Sequence, residues 1–453
     1  MTAEAIVMNK SAVALAADSA VTISSGRGGI KTYETINKLF ELIRGSSVGL
    51  MIYSNAEING MPWETVVKSY RAERTGFSAP YVEDYVEDFQ RFLSSADALL
   101  PASSDVSLVL QTTYDHLLKL FRMILDNESA WVTSAGRVVK SRLLAVFREG
   151  LEALEASMAS ADLAPWSSEL SVQRLDAEYG DAIAALIDEL FGRFSISRTD
   201  RRRVRAWAID SLRKCLSEPA ETGLVIAGFG DRDYLPKLYS SRVRGRLSGV
   251  LRVAHPKMEE ITIGRPGHFD TFAQDEQARG FLSGISSEVR RSVMRHWSDW
   301  AGSVRAESRR SLRKRFPRLS AATVDAISAE LSSLAKGAVS EFAAAMGERE
   351  YTLYIKPMLD SIASLPKDEL GLLAESLVSI TSLKQRMSIY DHQTVGGPID
   401  VALLSRGDGF VWLRRKHYFS SQLNPAWHLT HHAIIDSRRS NMEDGDGHRE
   451  GQD

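Results

Sequence analysis

A threonine hydroxyl attacks a carbonyl only after a base takes its proton, and the α-amine of the same residue can be that base. Thr2 follows Met1, and so small a second residue permits removal of the initiator methionine, which would leave hydroxyl and free amine together. Asp18 stands 16 positions later, and Lys38 follows Ile36-Asn37. A lysine cation beside an α-amine, whose ordinary pKa is about 8, disfavours the protonated amine and frees it to act as base. An aspartate would hold that lysine charged and oriented, as a buried ion pair requires. Each residue also has a plainer reading: Thr2 as a common small second residue, Asp18 as a turn residue, Lys38 as a solvated strand end.

The elements that must position these residues are short apolar strands. Glu4–Asn9 and Ala12–Ala17, separated by Lys10-Ser11, read as a hairpin whose second strand returns Asp18 towards Thr2. A glycine-rich loop, Ser24–Gly29, precedes Lys38–Ile43, which Arg44–Ser47 turns into Val48–Tyr53. Nearly continuous apolar strands of this kind suit sheets covered on both faces. From Ala56 to about Arg74 the pattern is helical, as it is over about 80–217 and 272–381, with breaks expected at Pro317 and Pro357. Strand character returns at Thr222–Gly230, Lys237–Tyr239, Gly249–Ala254 and Glu259–Ile263. It closes at Ile399–Leu404 and Phe410–Val411-Trp-Leu413, around a Gly407-Asp-Gly409 turn.

Taken in order, Met1-Thr2, Ala14-Leu-Ala-Ala-Asp18-Ser19 and Ile36-Asn-Lys38-Leu resemble proteasome β-subunits and the peptidase subunit of the bacterial two-component protease. Leu224–Phe229, Pro236–Tyr239 and Val395–Leu404 resemble that family's central strand pair and closing segment. The resemblance implies an α/β fold, the four-layer α/β/β/α sandwich of N-terminal nucleophile (Ntn) hydrolases, here with two large α-helical insertions. It implies Thr2 as nucleophile, Asp18 and Lys38 as catalytic partners, and the backbone N–H of Asn55 as the oxyanion-hole donor, at a place where relatives carry glycine. Ser19 falls in a supporting position. The closing segment of relatives carries a supporting aspartate and serine; the register puts His392 and Val395 there, with Asp391 and Thr394 each one residue earlier. On this reading the core comprises 2–75, 218–271 and 365–436, the helical insertions 76–217 and 272–364, and a disordered acidic tail 437–453. The substrate implied is a peptide or unfolded protein. A homo-oligomer, in relatives a ring, is implied as well, with the identity of any partner ATPase or regulator left open. No cofactor is implied.

Composition narrows the field further. A single cysteine, Cys215, excludes a disulfide framework or a Cys-rich zinc cluster within the chain, and its helical setting reads as a small buried apolar residue. A formal net charge of -2 gives no overall pull towards polyanions. No run reaches the roughly 18 apolar residues of a membrane span, and no signal peptide is legible, so the cytoplasm is the expected compartment. Two arginine clusters, Arg201–Arg205 and Arg309–Arg315, raise nucleic-acid association as a rival, although a solvated or subunit-facing helix surface is the preferred reading. His428, His431, His432 and Asp436 read as a surface cluster rather than a metal site. His296, Trp297 and Trp300 read as one face of an amphipathic helix. A catalytically silent scaffold on the same fold is the second rival, favoured by Asn55 and Val395.

Overall fold

The computed structural model describes residues 3–24, 30–33, 35–134, 136–194, 196–216, 218, 221–273, 280, 282–387, 396–417, 419 and 423–424. Strands β1 (Ala3–Asn9) and β2 (Val13–Asp18) form the expected hairpin, in the register Glu4↔Ala17 to Met8↔Val13. Side-chain alternation divides the hairpin by size. Ala3, Ala5, Val7, Ala12, Ala14 and Ala16 lie on one face, against Leu370, Ala374, Leu377 and Val378 of the helix at Lys367–Met387. Small residues there let the helix lie close. Ile6, Met8, Val13, Leu15 and Ala17 occupy the opposite face and pack against a second sheet.

The small ribbon of β3 (Val21–Ser24) and β4 (Ile30–Tyr33) follows. β5 (Leu39–Glu41) and β6 (Ser47–Ser54) come next, then the short pair β7 (Glu57–Ile58) and β8 (Met61–Pro62). β9 (Thr222–Phe229), β10 (Lys237–Leu247), β11 (Val250–Glu260), β12 (Gly267–Ala273), β13 (Ile399–Ser405) and β14 (Gly409–Arg414) complete the strands. They assemble into two five-stranded sheets with antiparallel pairing, ordered β12-β1-β2-β13-β14 and β11-β10-β9-β6-β5. The chain is thus mixed α/β with antiparallel sheets. On the second sheet, Met51, Tyr53, Val225 and Ala227 face the first sheet, while Leu50, Ile52, Leu224 and Ile226 face helices α1 (Trp63–Glu73) and α2 (Val82–Ser95).

Helices α3 (Ala102–Asp126), α4 (Glu128–Trp131), α5 (Lys140–Ser160), α6 (Val172–Phe191) and α7 (Arg198–Ser211) enclose a separate apolar core around Phe147, Phe191 and Leu175. Leu247, Val250 and Ala254 of the β10–β11 hairpin enter that core and anchor it to the sheet. Helices α8 (Ser287–Arg315) and α9 (Ala321–Glu350) form an antiparallel pair, followed by α10 (Lys356–Ile362) and α11 (Lys367–Met387). Residues 414–453 form a second unit, of which a few residues are described; there the rings of His417 and Phe419 lie 5.5 Å apart.

Several sequence expectations need correction. Ala56–Pro62 is a short strand pair rather than helix, and α1 begins at Trp63, whose indole is anchored by a hydrogen bond to Thr222. Glu259–Ile263 is not a strand of its own, because β11 runs unbroken to Glu260 along β10. The second helical block does not start at Phe272: Gly267–Ala273 is β12, held at the edge of the first sheet by β1. Pro317 ends α8, but Pro357 does not stop the chain's helix. A π-helical turn at Tyr351–Ile355 joins α9 to α10 just before it, and the proline sits among the first residues of α10 without ending the helix. Cys215 is half-buried at the edge of the helical core rather than fully buried. The acidic tail and the His428–Asp436 cluster lie outside the described residues.

Gly228 adopts φ 142° opposite Val48, and a Cβ there would lie 1.9 Å from the Ser47 carbonyl oxygen. Gly228→Ala is expected to cost about 3 kcal/mol or more. Gly45→Ala, at φ 80° in open space, should cost about 1 kcal/mol for its left-handed backbone alone. Urea denaturation midpoints of the two variants check the ranking. Burial holds the His268 imidazole below its ordinary range. The folded chain therefore binds fewer protons than the unfolded chain below about pH 6.5. Stability should fall as pH drops through that window, and His268→Asn should flatten the fall, read as melting temperature between about pH 5 and 7.

Candidate functional site

Both sheets bring strand ends to one rim. Ala3 opens β1 opposite Ala273, Asp18 ends β2 opposite Ile399, and Ser54 ends β6 opposite Thr222. Lys38 joins the two sheets there. Its carbonyl accepts the Ile52 N–H at 3.0 Å on the second sheet, while its ammonium reaches the first. The strand starts one residue later than the sequence suggested, at Leu39.

The Lys38 ammonium makes a short contact with Asp18 Oδ1 and lies 3.3 Å from Glu4 Oε1. Lys38 is only 4% exposed, and the Asp18 and Glu4 side chains are fully enclosed. The Asp18 carboxylate also accepts the Ala3 N–H at 3.1 Å and the Gly396 N–H at 3.0 Å. Beginning of β1, end of β2, approach to β5 and approach to β13 thus meet on one carboxylate. Ser19 Oγ donates to the Pro398 carbonyl at 2.5 Å, and the Ser19 carbonyl accepts the Ile36 N–H at 3.2 Å, bracing both neighbouring segments.

Glu4 was not singled out by sequence. It shares the inter-sheet face with Ile6 and Met8, and a carboxylate in that apolar alternation is the signal that could have found it. Its presence changes the electrostatics. Two carboxylates surround one ammonium, so Lys38 is not the isolated cation that would by itself depress a nearby amine; it is a clamped charge. Beside the cluster, the Tyr53 ring packs 5.0 Å from Phe272 and carries the Arg242 guanidinium 4.6 Å above it. Burial pushes the Tyr53 phenol up to about 12, with Arg242 opposing and Glu4 and Asp270 adding to the rise.

Asn55 lies at the other side of the rim, just past the end of β6. Thr222 Oγ1 ties this bend to the second sheet, 3.1 Å from the Asn55 carbonyl and 3.2 Å from that of Glu57, while receiving the Trp63 indole N–H at 3.0 Å. The left-handed residue is Ser54, at φ 70°, and not Asn55, so the backbone reversal that glycine would ease falls one position earlier. A cavity of about 270 Å³ opens beside Asn55, with Glu57, Asn59, Ser104, Gln111 and Arg244 in its wall. Asp18, Lys38 and Ser19 are therefore brought together, with Asn55 reached through Ile52–Ser54. Thr2, Asp391, Thr394, His392 and Val395 lie outside the described residues.

The first arginine cluster is largely neutralised inside the fold. Arg201 pairs with Asp188, Arg203 with Glu155 at 2.5 Å, and Arg205 with Asp176 at 2.8 Å. In the second cluster Arg309 pairs with Asp325 at 2.7 Å. Among the described residues, no group of three or more His, Cys, Asp or Glu is arranged to hold a metal ion, and no helix is long and apolar enough to cross a membrane.

Removing one partner of an enclosed ion pair leaves an uncompensated charge, at a cost of about 3–5 kcal/mol. Asp18→Asn should therefore destabilise the fold on that scale in urea titration. Glu64→Gln, which breaks an exposed helical pair with Lys68, should cost less than about 0.5 kcal/mol. Comparison with known proteins leaves this geometry to be read on its own terms: no protein-family model and no curated protein matches the chain.

Proposed function

We propose that the chain is a threonine-type amide or peptide-bond hydrolase with an Ntn-hydrolase core, its nucleophile Thr2 exposed by loss of Met1. The observation that carries the reading is the enclosed Lys38–Asp18 pair, whose carboxylate binds the backbone nitrogen of Ala3, the atom to which Thr2 is joined. Two packed antiparallel sheets, one covered by α11 and the other by α1 and α2, support the four-layer arrangement of that fold. Burying three charges at one rim of an otherwise apolar core costs stability, and such costs are concentrated at functional sites.

In the proposed reaction the Thr2 hydroxyl adds to the substrate carbonyl and its proton passes to the Thr2 α-amine. Lys38, fixed by Asp18 and Glu4, supplies positive charge where negative charge develops on the attacking oxygen. The Asn55 N–H, on the bend braced by Thr222, donates to the oxyanion. Collapse breaks the C–N bond, the ammonium protonates the leaving amine, and water then cleaves the ester. A peptide or unfolded protein is the proposed substrate, with a side chain accommodated in the cavity beside Asn55, whose wall includes Ile58, Leu108 and Val243 beside its polar groups.

A second reading, a non-catalytic binding subunit on the same core, is favoured by one feature: Lys38 is engaged by two carboxylates at once. Labelling with a threonine-directed electrophile separates the two. The wild-type chain should have lost one methionine by intact mass and should take up one label. Thr2→Ala should label at least about 10²-fold more slowly. Equal labelling of both proteins, or a retained Met1, rejects the hydrolase.

A further inference from the structure

The α8–α9 hairpin carries its large apolar residues on the outside. Its two helices, of 29 and 30 residues, meet along a narrow seam of small and medium side chains, with Ala301, Val324, Ser328 and Ala335 buried. Trp297, Trp300, Ile327, Leu331, Leu334 and Phe342 all remain between 38% and 63% exposed. Spacings of three, four and eight place each helix's members of this set on one side of the seam. The Trp297 and Phe342 rings, 5.7 Å apart, join the two helices into a single face. Apolar side chains three and four residues apart on an outward face, as at Ile327, Leu331 and Leu334, form the stripe by which helices pack against further helices.

The charge on the hairpin points to what covers it. α8 holds nine Lys and Arg against three Asp and Glu, whereas α9 holds five acidic residues against two basic ones; Arg290 and Arg309 pair with Glu350 and Asp325 inside the hairpin, leaving Glu330 and Glu341 exposed on α9. A two-fold axis through the face would set α8 of one copy over α9 of the other and bring opposite excess charges together. Helices of this length and width offer a face about 40 Å by 20 Å, or roughly 800 Å² per copy, the size of a standard stable interface. We infer that a second copy of this chain docks on this face, so that two hairpins form an antiparallel four-helix bundle.

Sedimentation or light scattering of the full chain tests this inference. Leu331→Glu combined with Leu334→Glu should halve the particle mass at micromolar concentration, with the far-ultraviolet helical signal retained. Glu330→Lys with Glu341→Lys changes only exposed positions on α9 and should weaken association at low salt at least tenfold, which keeps the inference testable if the leucine variant does not fold. A wild-type chain that is monomeric at tens of micromolar overturns the inference, and binding of that monomer to anionic vesicles or to DNA would assign the face to another class of partner. An assembly whose mass neither pair of substitutions changes also overturns it.

Discussion

The Lys38 ammonium, on a side chain only 4% exposed, lies between Asp18 and Glu4 and ties together segments of both sheets. Asp18 binds backbone N–H groups at Ala3 and Gly396, so one carboxylate fixes where β1 begins and where the approach to β13 runs. The sandwich interior around it is apolar, with Leu15, Met51 and Val225 fully buried. In such surroundings an ion pair survives only with near-complete hydrogen bonding. Each segment at the rim is constrained by the need to keep these charges satisfied, and so the charged cluster and the geometry of the rim depend on each other.

The rest of the structure is arranged around that constraint by side-chain size. Alanines on β1 and β2 face α11, and longer side chains fill the space between the sheets. The second sheet repeats the division: Tyr53 and Met51 turn inward, and Leu50 and Ile52 turn to α1 and α2. The helices from α3 to α7 do not share this core. They build their own and reach the sheet through the β10–β11 hairpin. The start of α3 also supplies Ser104 and Gln111 to the wall of the cavity beside Asn55, so a helical region remote from the charged cluster reaches the rim.

Charge pairing on the helices follows a different logic. Arg201, Arg203 and Arg205 read in sequence as a basic patch, yet each finds a carboxylate on a neighbouring helix. In α8 the basic excess persists, beside an apolar face that remains exposed among the described residues. Proximity in sequence overstated the first patch because the neutralising acids lie 13 to 48 residues away.

Short, nearly continuous apolar runs bounded by turn residues made the β1–β2 hairpin, β6, β9 and the closing hairpin legible from sequence, because such a run and its flanking turns are a local signal. Asp18 and Lys38 were legible through their order along the chain. The sequence could not assign β12, whose strand character depends on β1 lying beside it, or the break at Ala56–Pro62, where Thr222 and Trp63 impose the bend. The pattern of β1 could mark Glu4 as a carboxylate on a buried face, but not name Lys38 as the charge it meets. Pattern fixes elements because it acts over a few residues; the convergence of Glu4, Asp18, Lys38 and Gly396 was decided by tertiary structure, since only sheet pairing and packing bring residues nearly 400 positions apart within hydrogen-bond reach.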